Sequence, residues 1–448
     1  MSGARGLILA AASSGAGKTT LTLALLRYLT RAGRNVVSAK VGPDYIDPQF
    51  HAAASGRPCL SLDPWAMRPE TLAGTVALLE ASADLVLCEG VMGLFDGIGA
   101  DGAGSTADLA ALTGWPVVVV LDVRGQATTA AAVLAGLVHH RADVDVVGVI
   151  LNRAGSPTHG ATIAEACRRA LPDVAVFGWV ASSSGLERPE RHLGLVQARE
   201  QTDLHAFLDR AADAVGGALD IDAMIGRMRP SRLATSGTPS PLPPQSLSPL
   251  GQRIAVADDL AFAFAYPAML DGWRRAGAEI RPFSPLAGEA PAVDADAVFL
   301  PGGYPELHAG RLAATSAWRD GLAAAAARGV PVYGECGGYM ALGRGLVDAD
   351  GVRHAMAGLL AVETSFARRR LHLGYRQATL SGDCGLGRAG TEYRGHEFHY
   401  AAVVDEDAGP PLFSAADAKG RALGPAGRRR GSVFGSFLHL IDRRDGPA

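Results

Sequence analysis

The sequence predicts an α/β protein built from two parallel-sheet domains. Three observations carry that prediction. Short, wholly apolar segments alternate with Ala-rich amphipathic ones through residues 6–178, the pattern of parallel strands covered by helices on both faces. A Pro/Ser-rich stretch, residues 229–250, cannot bury a core and reads as a linker. A second strand–helix alternation begins at Arg253. The 448 residues suffice for two or three full cores. The expected domains are residues 1–228 and 251–445.

The first strand, residues 6–10, leads into Ala10–Thr20, AAASSGAGKTT, and then into a helical pattern over residues 18–29. Strand, small-residue loop and helix start form an anion-binding device of backbone N–H groups and helix dipole. Gly15, Ala16, Gly17, Lys18, Thr19 and Thr20 are the candidate nucleotide-phosphate residues. Lys18 would reach the β- and γ-phosphates, and the Thr19 hydroxyl would ligate Mg²⁺. Ala12 stands where the usual phosphate-loop pattern has its first Gly. Lys is scarce: of 42 basic residues only Lys18, Lys40 and Lys419 are lysines. A lysine at 18 therefore marks a place for a compact ammonium; Lys40 is either a second such place or a solvated strand end.

Further strands are expected at residues 35–40, 84–88, 116–121, 144–151 and 174–178, with helices at 126–140 and 159–170. In such sheets ligands sit beyond the carboxyl ends of the strands. There lie Asp44, Tyr45 and Asp47, in the Pro-fixed loop KVGPDYIDP, and Glu89 and Asp96, in CEGVMGLFDG. Carboxylates facing nucleotide phosphates need a divalent cation between them. Asp44 and Glu89 are therefore assigned with Thr19 to Mg²⁺, and Lys40, Tyr45, Asp47 and Asp96 to substrate. Asn152-Arg153 is a base reader, a clamp or a polar turn. Arg188, Arg191 and His192 are either a carboxylate-holding cluster or a solvated loop.

In the second half, strands are expected at 253–257 and 297–300 and helices at 266–276 and 312–328. The strand at 330–333 then runs into Gly334-Glu335-Cys336-Gly337-Gly338, the frame of a nucleophile elbow. A helix start beyond Cys336 would lower its thiol pKa below the ordinary value of about 8.5. Gly303, in the turn PGGY, and Gly337 would donate N–H groups to an oxyanion. His439 in SFLH is the chosen base, with His396 and His399 as competitors.

Net charge is −3, which gives no reason to expect nucleic acid or an anionic membrane as partner. Five scattered cysteines without a C-x-x-C pair argue for a reducing compartment and against a zinc site. No apolar run reaches spanning length, and a cytoplasmic location is expected.

GECGGYM with the late SFLH resembles the class I glutamine amidotransferase domain (flavodoxin-like), in the variant found in corrinoid biosynthesis. AAASSGAGKTT, KVGPDYIDP and CEGVMGLFDG resemble the dethiobiotin-synthetase-like ATP-dependent ligase domain joined to it. Together they resemble the cobyrinate/hydrogenobyrinate a,c-diamide synthase family, over nearly the whole chain outside the linker. The resemblance implies a glutaminase with Cys336 as nucleophile and His439 as base. It implies an ATP- and Mg²⁺-dependent ligase that activates corrin acetates as acyl phosphates, with an internal passage for ammonia. The implied partners are ATP, L-glutamine and a carboxylate-rich corrin, and a homodimer is left open. The Ala/Arg bias tilts the substrate toward cobalt-free hydrogenobyrinate. The usual domain carries His-x-Glu, yet residue 441 is Ile; the corrinoid branch also lacks that Glu, and Asp442 is the candidate for orienting His439. The rival readings are another tetrapyrrole amidoligase, such as cobyric acid synthase or nickel-sirohydrochlorin a,c-diamide synthase, and a partitioning-type switch ATPase.

Overall fold

The computed structural model describes residues 3–182, 186, 196–233 and 246–444. The chain divides into two compact units, Met1–Trp65 with Leu72–Pro243, and Ala66–Thr71 with Pro244–Ala448.

Seven strands form the sheet of the first unit: β1 (Arg5–Ala11), β2 (Val36–Val41), β3 (Cys59–Leu62), β4 (Leu85–Glu89), β5 (Val117–Asp122), β6 (Val146–Ala154) and β7 (Ala175–Ala181). Their order is β3-β2-β4-β1-β5-β6-β7, and every ladder is parallel. All residues of β2 and β4 are buried, as are all but the first of β1; this is why they read as mainly apolar runs, with Ser38, Lys40 and Glu89 as buried polar exceptions. β3 has only four residues and no such run, and the sequence reading passes over it. The chain leaves β1 toward β2 on one side while β5 lies on the other, so a crevice opens at the carboxyl end of β1. The helix Lys18–Arg31 starts there.

Residues at both edges of the expected linker are bonded into the units. Gly6 and Arg229 exchange backbone hydrogen bonds, and the Ser231 N–H donates to Glu80. Past the undescribed residues 234–245, the Trp273 indole donates to the Leu247 carbonyl and the Arg443 N–H to that of Ser246.

The second unit opens with β8 (Arg253–Ala257), β9 (Glu279–Phe283), β10 (Ala297–Leu300) and β11 (Val332–Glu335). These run parallel in the order β11-β10-β8-β9, and Val433–Ser436 joins parallel to the outer side of β11. Phe299, Tyr333 and Phe434 stand side by side across three neighbouring strands. Their rings stack with centroids 5.5 and 5.3 Å apart. The helix expected over 312–328 is two helices, Ala309–Ala314 and Ala317–Ala327. The chain turns extended at Thr315, and the buried Trp318 indole donates to the Leu312 carbonyl, closing off the first helix.

From residue 345 on the chain adds one mixed and one antiparallel sheet that the sequence reading does not anticipate. In one of them His372–Leu380 pairs with Glu392–His399, which pairs in turn with Leu438–Arg444. After Val433–Ser436 the chain leaves the parallel sheet and enters this antiparallel one, and His439 follows that corner directly. Among the described residues no helix is long and apolar enough to cross a membrane.

Candidate functional site

In the first unit the phosphate loop needs two left-handed glycines, Gly15 (φ 76°) and Gly17 (φ 92°), the second capping the helix. A Cβ on Gly17 would lie 2.2 Å from the Asn152 side chain. Asn152 donates to the Ala16 carbonyl at 2.8 Å, and Arg153 to the Gly15 carbonyl and to Asp122, both at 2.7 Å. Asn152 and Arg153 thus fasten the loop from β6. Lys18 donates to the carbonyls of Ser13 and Met92, at 3.3 and 2.5 Å. Burial lowers its pKa.

Lys40 is buried, and the register of β2 and β4 sets it opposite Glu89. Its ammonium donates to Glu89 at 2.8 Å and to Asp47 at 2.9 Å, with Asp44 at 3.8 Å. The Thr19 hydroxyl lies 2.5 Å from Glu89 Oε1 and 3.3 Å from Asp47 Oδ2. Glu89 Oε2 meets His51 Nε2 at 2.6 Å, and the far side of that ring contacts the Cys59 sulfur. Sequence reasoning missed His51, whose only signal is a position four residues past Asp47, one helical turn along.

Burial opposes charge on Glu89, but the Lys40 ammonium and His51 hold its pKa below the ordinary value. Burial and the Asp47 carboxylate push Asp44 up to about 6. Asp44 Oδ1 accepts from the Ile46 and Asp47 N–H groups, so it shapes its own loop. It is Asp47, assigned above to substrate, that joins Glu89 beside Thr19. Hard oxygen donors (Thr19, Asp47, Glu89) around a place now held by an ammonium suit Mg²⁺. Asp96 accepts from the Gly93 N–H and closes its turn, and Tyr45 is buried. Arg188, Arg191 and His192 lie outside the described residues.

In the second unit Cys336 directly follows β11, at the cap of the helix Gly337–Leu342, with φ 47° and ψ −105°, a strained conformation for a side chain-bearing residue. Close packing of glycines permits the elbow. A Cβ on Gly338 would lie 1.9 Å from the Leu300 carbonyl oxygen, and one on Gly337 would lie 2.9 Å from the Gly303 nitrogen. The two oxyanion candidates, Gly303 and Gly337, are therefore neighbours. A Cβ on Gly302 would lie 2.4 Å from His439 Cε1 and 3.4 Å from Cys336 Cβ. Gly302, missed in the sequence, is what lets nucleophile and base share one pocket.

His439 and Cys336 are both buried. Burial and the carboxylate of Glu306 push the Cys336 thiol well up, with the Gly337 N–H offsetting only part. This corrects the expectation of a lowered pKa: desolvation outweighs the short helix that follows. Burial, His396 and His399 push His439 down to about 3. Burial thus disfavours the charged form of both groups. The thiol donates to the Phe398 carbonyl at 3.8 Å. Of the competing bases, His396 pairs across the strands with His439, while His399 is bonded to Glu397 and the Ala401 carbonyl.

Asp442 does not orient His439. It accepts from the Arg68 N–H at 2.8 Å and pairs with the Arg68 guanidinium at 3.1 Å. Between His439 and Asp442 the pairing with Glu392–His399 shifts register, Gly395 lying opposite Leu440 and Arg394 opposite Asp442. The carboxylate nearest the imidazole in the described ion pairs is Glu335, with Oε2 3.8 Å from His439 Nδ1.

Residues 7–196 match the CobQ/CobB/MinD/ParA nucleotide binding domain, and residues 253–446 the CobB/CobQ-like glutamine amidotransferase domain. The chain is 52% identical over 440 residues to the hydrogenobyrinate a,c-diamide synthase of Brucella abortus biovar 1 (strain 9-941), covering 98% of both chains. It is 50% identical over 439 residues to that of Sinorhizobium sp, again 98% of both. To that of Agrobacterium fabrum (strain C58 / ATCC 33970) it is 49% identical over 441 residues, 98% of this chain and 99% of the other. With both domain matches spanning the two sites just described, the chain belongs to the hydrogenobyrinate a,c-diamide synthase family.

Proposed function

We propose that this chain is an ATP- and glutamine-dependent amidoligase that converts the a- and c-acetate carboxylates of hydrogenobyrinate into amides. The observation that carries the reading is the joint presence, in one chain, of a phosphate loop facing a Lys/carboxylate cluster and a strained Cys beside a buried His.

In the glutaminase unit, Cys336 Sγ attacks the side-chain amide of glutamine as its proton passes to His439. The Gly303 and Gly337 N–H groups receive the developing oxyanion. His439 returns the proton to the departing nitrogen, and ammonia leaves. Water then attacks the thioester, with His439 again taking the proton, and glutamate is released. Burial favours the uncharged thiol and imidazole, which suits a proton transfer that accompanies attack on the amide.

In the ligase unit, Gly15, Gly17 and Lys18 hold the ATP phosphates. Thr19, Asp47 and Glu89 would hold Mg²⁺, with Asp44 close by; the ion neutralises phosphate charge when bound. The γ-phosphoryl group passes to an acetate oxygen of the corrin. Ammonia then displaces phosphate from the acyl phosphate and leaves the amide. Without that activation the carboxylate would have to expel oxide, a very poor leaving group.

The test runs hydrogenobyrinate and cobyrinate side by side, each with glutamine and with ammonium, and weighs the products by mass spectrometry. Two amides gained on hydrogenobyrinate support the reading. Intact glutaminase with neither corrin amidated would reassign the substrate.

A further inference from the structure

We infer that Glu335, the residue immediately before the nucleophile, is the positioning carboxylate for His439, in place of an acid two residues past the histidine. The inference rests on the glutaminase reading of Cys336 and His439.

Its basis is how the site disposes of its acids. Residue 441 is Ile, and Asp442 is committed to Arg68. Glu335 and His439 are both buried, at 1% and 0% exposure. The two oxygens of Glu335 have separate surroundings. Oε1 accepts from the Tyr333 hydroxyl at 2.7 Å and from the Leu440 N–H at 3.1 Å. Oε2 faces His439 Nδ1 at 3.8 Å. The Leu440 bond ties the carboxylate to the residue next to the histidine, so acid and base are held in register by one strand. Tyr333 is itself fixed by the aromatic stack with Phe299 and Phe434. The support of the carboxylate is therefore rigid, and only its free oxygen points at the imidazole. Catalytic hydrogen bonds are often long in ligand-free sites and tighten with substrate.

The charge argument agrees. When Cys336 gives its proton to His439, the new imidazolium is buried and beside His396 and His399, which oppose its charge. Glu397, at the same site, favours it but is bonded to His399 and Arg376. Glu335 faces the Nδ1 side with neutral donors on its other oxygen, so its charge is available to compensate. It is also poised: burial pushes it up to about 7.

The chain would thus store its third catalytic-site group in the strand that leads into the nucleophile. Elbow and orienting acid become consecutive residues, and the C-terminal strand has to deliver the base alone.

The experiment compares Glu335→Gln with wild type in the full chain. It reads glutaminase kcat, KM for glutamine, the pH profile of kcat, and amidation from ammonium. The expected result is a fall of about 10²-fold in glutaminase kcat and an altered pH profile. KM should stay within about twofold and ammonium-dependent synthesis should be unchanged. Wild-type kcat and pH profile in the variant would overturn the inference. So would equal loss with both nitrogen sources accompanied by a lowered melting temperature, which marks a structural role. Should Glu335→Gln fail to fold, Tyr333→Phe frees Oε1 without removing the carboxylate. A selective drop in glutaminase kcat then supports the inference, and no change overturns it. Cys336→Ser runs in parallel: glutaminase surviving in that variant would sink the underlying reading of the site, separately from the role of Glu335.

Discussion

Gly302→Ala is a small change with a large expected effect. The added methyl carbon would lie 2.4 Å from His439 Cε1, 3.2 Å from its Nε2 and 3.4 Å from Cys336 Cβ. Carbon atoms rest at about 3.5–4.0 Å, so the imidazole must retreat by about 1 Å. It has little room, because it is wholly buried. Overpacking of this kind costs about 1–3 kcal/mol of stability. A misplacement of about 1 Å in a proton-transfer group costs about 10²-fold in rate. The assay is ammonia release from glutamine, coupled to a dehydrogenase, alongside amidation from ammonium. Glutaminase should fall about 10²-fold while the ammonium-dependent rate holds. Glutaminase within twofold of wild type would refute the claim that Gly302 sets the distance between His439 and Cys336.

Glu89→Gln removes the carboxylate shared by Thr19, Lys40 and His51. Breaking a buried ion pair this way costs about 3–5 kcal/mol, so synthesis should fall with glutamine and with ammonium alike; an unchanged ammonium rate takes Glu89 out of the site. Asn152→Ala deletes the buried bond to the Ala16 carbonyl, worth about 1 kcal/mol, and should raise KM for ATP about fivefold with glutaminase untouched; an unaltered KM removes Asn152 as a support of the loop. Glu397 is held at about 2 despite burial, because His399 and Arg376 favour its charge. Its native state binds the proton less tightly than the unfolded chain, so the stability it supplies is complete above about pH 4.5 and is lost as pH falls toward about 2. That contribution is on the order of 3 kcal/mol. Glu397→Gln should therefore be less stable than wild type in urea at pH 7, with the gap narrowing by pH 3; a gap equal at both pH values contradicts the assignment.

Legibility in the sequence followed the range of the interaction. The phosphate loop and the Cys336 elbow are local: a strand, two or three glycines and a helix start fall within about a dozen residues, so their geometry is written in consecutive letters. The buried parallel strands are legible for a related reason, since both faces need apolar side chains. The antiparallel strands are not, because their burial is partial and their letters mixed: His372–Leu380 carries only two buried residues in nine. Glu335 was in plain sight beside Cys336, yet its bearing on His439 needs a fold that brings residues 335 and 439 together. Asp442 illustrates the converse. Nearness in sequence to His439 suggests a role that the pairing with Arg68 denies it. Lys40 could be read as solvated or buried until the register of β2 against β4 set it on Glu89.

The scarcity of lysine gives the molecule an unusual chemical signature. Two of its three side-chain amines, Lys18 and Lys40, are buried in the phosphate site, while Lys419 stands in solvent. Among the side-chain amines, an acylating reagent at limiting dose should mark Lys419 first and act as a built-in tag on the glutaminase unit. Any slower modification at residues 18 and 40 would then report how often the nucleotide crevice opens. Its suppression by ATP, followed by peptide mass, would turn amine chemistry into an occupancy gauge for one site, without engineering a single residue.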